Sequence, residues 1–115
     1  MKDINGKIQL NDKEYPLVFN LNVMEQIQDE YGSLDKWGNL TDGTEGEPNA
    51  KAVIYGFTEM INEGIDIQNE EQGTNEPFLT KKQVGRLITQ YGLIEATKTL
   101  NQTIIESTES DEKNA

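Results

Sequence analysis

Asp66, Gln68 and Glu70 stand at alternate positions in IDIQNEEQGTNEP, the spacing with which a calcium loop presents its first oxygen ligands. Such a loop turns on a glycine at its sixth position and closes with a glutamate at its twelfth. Those places hold Glu71 and Pro77, so the calcium reading fails. Carboxylates are nonetheless the main reactive stock, with 21 acids against 10 bases. Two of them facing each other across an apolar wall could run glycoside hydrolysis. Here they fall in loops or on outward helix faces, where nothing would raise a pKa. There is no histidine, the commonest general base and metal ligand, and no cysteine for a thiolate or a disulfide. The glycines between residues 38 and 46 lack the preceding strand and the Lys-Ser/Thr ending of a phosphate loop. No catalytic residue, cofactor or metal is expected.

The elements that carry these residues follow from periodicity. Residues 4 to 21 alternate, with Ile4, Ile8 and Leu10, then Tyr15, Leu17, Phe19 and Leu21 on one side. This predicts a β-hairpin turning at Asn11-Asp12, with Pro16 confining the second strand to an edge. The period then changes. Met24, Ile27 and Tyr31 share a helical face, with Asn22 as a possible cap and Gly32 as terminator. Leu34 and Trp37 predict a short further turn of helix. Trp37 has two readings, a ring at the edge of the core or an anchor for a partner. Residues 38 to 49 read as an acidic, glycine-rich loop. A helix through AKAVIYGFTEMINEG turns Val53, Phe57, Met60 and Ile61 inward and is expected to end at Gly64. Gly56 inside it reads as tolerated, or as a place where another backbone approaches closely. Residues 65 to 76 read as a mobile acidic connector.

The best-marked helix lies in PFLTKKQVGRLITQYG. Thr80 and Gln83 form a capping box, and Leu79 and Val84 are placed as a hydrophobic staple. Val84, Leu87, Ile88 and Tyr91 follow at i, i+3, i+4 and i+7, while Lys82 and Arg86 point the other way. A last helix carries Leu93, Thr97, Leu100 and Ile104 on one stripe, beside Ile94 and Ile105. The expected fold is α+β and mostly α-helical, an N-terminal β-hairpin followed by four to five short helices. One domain spans 1–107 (hairpin about 4–21, helices about 22–107), and 108–115 form a disordered acidic tail.

Charge narrows the function classes. The formal net charge of −11 opposes nucleic acid and favours protein partners. Apolar residues make up only 34% of the chain, so a partner could complete part of the surface. The opening MKDINGKIQL lacks the apolar core of a signal peptide, and no apolar run is long enough for a membrane span. Basic residues collect in 77–105 and acidic ones in 35–76. Lys82 and Arg86 therefore read either as an ordinary solvated face or as a contact with acidic loops, their own or a neighbour's.

Two segments resemble a known family. FNLNVMEQIQDEYGSLDKW is similar to the opening motif of tail assembly chaperones of long-tailed, siphovirus-type bacteriophages and prophages. There a strand with inward aromatics runs into a short helix ending in aromatic-glycine-serine-leucine, here Tyr31-Gly32-Ser33-Leu34. PFLTKKQVGRLITQYGLIEATKTLNQTIIEST resembles the closing part, a Thr-capped helix carrying Val-Gly and a last helix opening soon after a glycine. VIYGFTEMINEG fits the middle helix, so the resemblance covers most of residues 15 to 107.

What this resemblance implies is a non-enzymatic assembly factor that binds the tape-measure protein and helps recruit tail tube protein during tail morphogenesis. It implies a homo-oligomer, as a ring or spiral, in the cytoplasm of the infected or lysogenic bacterial host and absent from the mature virion. Many such genes also yield a longer product by ribosomal frameshifting. Lys82, Arg86 and Trp37 are the candidate partner-binding residues. The alternatives are a structural virion component, either a tail tube or head–tail connector subunit, and a prophage-encoded adaptor.

Overall fold

The computed structural model describes residues 5–10 and 12–113, with side chains from residue 6 to residue 106. Strands β1 (Asn5–Leu10) and β2 (Lys13–Val18) pair antiparallel, from Asn5 opposite Val18 to Leu10 opposite Lys13. Asp12 takes the left-handed conformation that closes so tight a connection (φ 67°), which its short polar side chain tolerates. Ile4 and Asn11 lie outside the described residues. The expected alternation holds for Ile8, Leu10 and Leu17 but not at the end of β2. There Leu17, Val18, Phe19 and Asn20 are all buried, because the hairpin is covered on both faces. Leu21, expected in the strand, opens the next helix and is 69% exposed.

Five helices follow among the described residues: α1 (Leu21–Tyr31), α2 (Leu34–Thr41), α3 (Ala50–Gln72), α4 (Lys81–Tyr91) and α5 (Leu93–Lys113). Their ends are set by local chemistry. Asn20, not Asn22, caps α1, its Oδ1 accepting from the Val23 amide at 3.2 Å. Gly32 closes α1 at φ 91°, and Ser33 at once caps α2 by accepting from the Lys36 amide. Tyr31-Gly32-Ser33-Leu34 is thus a corner, with a glycine stop and a serine start back to back. The capping box of α4 is complete: the Gln83 amide donates to Thr80 Oγ1 at 3.1 Å, and the Thr80 amide donates to Gln83 Oε1 at 2.8 Å.

The centre of the molecule is α3. Gly64 does not end it; the helix continues to Gln72 and stops at Gly73 in the left-handed conformation. Its 23 residues reach about 34 Å at about 1.5 Å per residue. It buries Val53, Phe57, Met60, Ile61 and Ile65, and the other helices and β2 pack around it. The helices are therefore not all short. α5 likewise is helical to Lys113, so helix extends into the segment expected to be a disordered tail; residues 114 and 115 lie outside the described residues. Its buried face is Ala96, Thr97, Leu100 and Thr103, with Leu93 and Ile104 of the expected stripe half-buried against the core, and Ile94 stays 60% exposed.

Two glycines of α3 mark where neighbours come closest. A Cβ on Gly64 would stand 2.6 Å from Pro16 Cβ and 2.8 Å from its Cγ. The hairpin seats here. A Cβ on Gly56 would collide with the Trp37 indole at Cζ2, with Cε2 and Cη2 at 3.3 Å. The approaching group is a side chain, not a second backbone.

The connector after α3 is tied down. Asn62 receives the Leu79 amide on Oδ1 and donates Nδ2 to the Leu79 carbonyl, both at 2.9 Å. Asn69 does the same for Glu76, accepting its amide at 3.0 Å and donating to its carbonyl at 3.1 Å. These asparagines lie seven residues apart, two turns along one face of α3. Each amide acts as the missing strand for a chain that has no sheet to join. Replacing Asn62 with alanine strands both Leu79 backbone groups and should cost about 1–3 kcal/mol. Urea unfolding and faster exchange of the Leu79 amide would read this out; unchanged exchange would show that the clasp does not hold the connector.

Candidate partner-binding surface

The residues singled out in the sequence part company in three dimensions. Lys82 and Arg86 sit on the exposed side of α4, while Val84 and Ile88 fill the core and Leu87 packs against it. Among the described residues neither cation enters an ion pair. Trp37 does not belong with them. It is 2% exposed, and its Nε1–H donates to the Ala52 carbonyl of α3 at 2.9 Å. A ring with so little accessible surface serves the core, and its role as a partner anchor is withdrawn.

Beside Lys82 lies a shallow hollow of about 440 Å³ lined by Lys51, Ile54, Tyr55, Lys81 and Lys82. The Lys81 ammonium stands 5.0 Å from the Tyr55 ring centre, a cation–π contact. Tyr55 donates its hydroxyl to the Gln26 carbonyl at 2.9 Å and meets Tyr31 edge-on, with ring centres 5.5 Å apart. Burial, reinforced by Glu59, Glu30, Tyr31 and Asp29, pushes the Tyr55 phenol up to about 12.

About one turn further along α3, from Tyr55 to Glu59, the sign of the surface reverses. Glu25 and Gln26 of α1, Glu59, Asn62, Glu63 and Asp66 of α3, and Phe78 from the connector line a second hollow of about 310 Å³. Glu63 is fixed there by the Asn20 and Asn22 amides, at 2.7 and 2.9 Å on the same oxygen. Burial pushes the Glu59 carboxyl above its ordinary value, against the pull of Lys81, and Glu63 adds to the rise. Folded protein thus holds the Glu59 proton more tightly than unfolded chain. Stability falls as pH rises from the unfolded pKa through the folded one, and the penalty is complete above both. Glu59→Gln should therefore raise the melting temperature at pH 7, with an advantage that shrinks as acidification protonates the native carboxyl. An advantage independent of pH would mean that titration is not its cause.

A third groove of about 430 Å³ runs between α1, α2 and α5, with Phe19, Met24, Leu34, Trp37, Ile104 and Ile105 along it and Asp35 and Asp42 at its edge. This groove had no signal in the sequence, since it needs α5 laid across the α1–α2 corner. Asp66, Gln68 and Glu70, which opened like a calcium loop, lie on α3, where residues two apart point in divergent directions. Among the described residues no group of three or more carboxylates is placed to hold a metal ion. No helix among them is long and apolar enough to cross a membrane.

These surfaces define a class: an α+β body of one hairpin and five helices, carrying charged and apolar hollows on its flanks. Comparison with protein-family models, curated proteins and solved structures found no match.

Proposed function

We propose that this chain is a tail assembly chaperone of a long-tailed bacteriophage or prophage. In this reading it binds the tape-measure protein without catalysis, helps recruit tail tube subunits, and leaves before the virion is complete. The observation that carries the reading is the resemblance in Tyr31-Gly32-Ser33-Leu34 and in the Thr80-capped helix with Val84-Gly85. Both motifs occupy structural junctions here, the α1–α2 corner and the helix that leads through Gly92 into α5.

Surface physics supports the same role. A holder of a long helical client needs apolar contacts that release and enough charge to stay soluble. Leu21, Phe78, Ile94 and Ile105 are exposed apolar side chains, Phe78 and Ile105 beside acids, and net charge is −11. Amphipathic client helices would offer apolar residues at i, i+3, i+4 and i+7 to such a surface. Lys82 and Arg86 are positioned for contact with a neighbouring subunit or with the client, in a ring or spiral. Among the described residues the sheet has two strands, too few to pave a tube wall, which disfavours the structural-subunit alternative.

Mass spectrometry of purified virions tests this reading. The chain should be missing from finished particles though abundant in lysates of infected cells. Stoichiometric copies in the particle would replace the chaperone reading with a structural one.

A further inference from the structure

The basic and acidic hollows adjoin on one face, and their order along α3 is informative. Lys51, Ile54 and Tyr55 belong to the N-terminal part of the helix, Glu59 to its middle, and Glu63 and Asp66 to the part beyond. Lys51, in the first turn, opposes the helix macrodipole, which acts within the terminal turns and favours acids at the N-terminus and bases at the C-terminus. The first turn of α3 has no acid and its last turn no base. Within one molecule the arrangement forgoes a stabilising interaction. Between two antiparallel molecules it becomes complementary.

We infer that this face, formed by α1, α3 and the start of α4, pairs with the same face of a second copy about a two-fold axis crossing α3 between Tyr55 and Glu59. Rotation about an axis in the interface exchanges the two hollows, so each basic hollow meets the partner copy's acidic one. A self-complementary surface of this kind closes as a dimer, because both contacts are used within the pair. Apolar surface matches as well. Phe78, 53% exposed on the wall of the acidic hollow, falls opposite the half-buried Ile54 in the basic one, while Tyr55, 7% exposed, adds little surface. Glu30 borders the basic side but is already engaged by Lys51 at 3.9 Å, and Lys81 lies over the Tyr55 ring, which leaves Lys82 as the cation that faces the partner copy most directly. The pair stands independently of the tail-assembly reading; if that reading holds, a ring or spiral is built from such pairs.

The experiment is charge exchange followed by sedimentation and light scattering. At low ionic strength the native chain should run as a discrete species of twice 13.0 kDa, dissociating as salt is raised. Lys81→Glu with Lys82→Glu, and separately Glu25→Lys with Asp66→Lys, should each weaken pairing roughly tenfold or more while keeping the native circular dichroism. All four positions are exposed. Mixing the two variants should restore a dimer, since each reversed hollow then meets a reversed counterpart. A native chain that stays monomeric at low salt overturns the inference. So do variants that pair unchanged, or a mixture that grows into larger species without a discrete dimer, which would indicate head-to-tail contacts instead.

Discussion

Trp37→Ala should lower the unfolding free energy by about 3–5 kcal/mol, the range for truncating a large aromatic in a packed core. The indole is 2% exposed, lies against Gly56, and spends its one N–H on the Ala52 carbonyl. Removing it leaves a void between α2 and α3 whose walls are helices held elsewhere, so collapse is restricted. A domain of this size has about 5–15 kcal/mol in all. The variant should therefore melt well below the native protein, and in the weaker part of that range it would be partly unfolded at 37 °C. Urea titration followed by circular dichroism measures the loss. A change under about 1 kcal/mol, a surface-like value, would mean that Trp37 is not a core residue. Native fluorescence offers a check, because Trp37 is the single tryptophan. Its emission should be blue-shifted in the folded state and shift to longer wavelength on unfolding.

Gly56→Ala is expected to destabilise the fold by up to about 2 kcal/mol net. Overpacking a well-filled core costs about 1–3 kcal/mol, occasionally more. Alanine returns about 1 kcal/mol of helix propensity. Steric conflict wins here because the added methyl meets the rigid Trp37 ring, which its hydrogen bond to Ala52 keeps from swinging aside. Gly38 provides the control. It lies inside α2 with nothing within 4 Å of the Cβ position, so Gly38→Ala should stabilise by roughly 0.5–1 kcal/mol. One substitution type thus takes opposite signs at two helical glycines of the same protein. Combining Gly56→Ala with Trp37→Leu should be less damaging than the two single losses added together. Strict additivity would show that the methyl and the indole do not compete for one space.

That contrast bears on what could be read from the chain. Helix starts and stops were largely legible, because a Thr-x-x-Gln box or a glycine after an amphipathic run acts through its immediate neighbours. Thr80, Gly32 and Gly92 occupy the places expected of them. Gly64 misled for a physical reason: a glycine can end a helix or admit a neighbour, and local sequence does not distinguish these roles. Pro16, some 48 residues earlier, decides it. Residues 65–72 look like a solvated connector by composition, yet helix continues through them, and the segment beyond is held by Asn62 and Asn69. Such side-chain clasps leave no periodic trace. Among the candidate contact residues, the outward direction of Lys82 and Arg86 followed from helical spacing. Trp37 could be assigned to the core only once α3 was seen to present Gly56 beneath it. The acidic hollow needed three separate elements, α1, α3 and the connector, and no spacing within any of them announces it.

Co-expression tests the functional account most directly. The tape-measure protein of the same phage should aggregate when made alone. Made together with this chain it should stay soluble and co-purify with it, and tail tube subunits should then displace the chain. If the tape-measure protein aggregates equally with folded, abundant chain present, the chaperone assignment is contradicted.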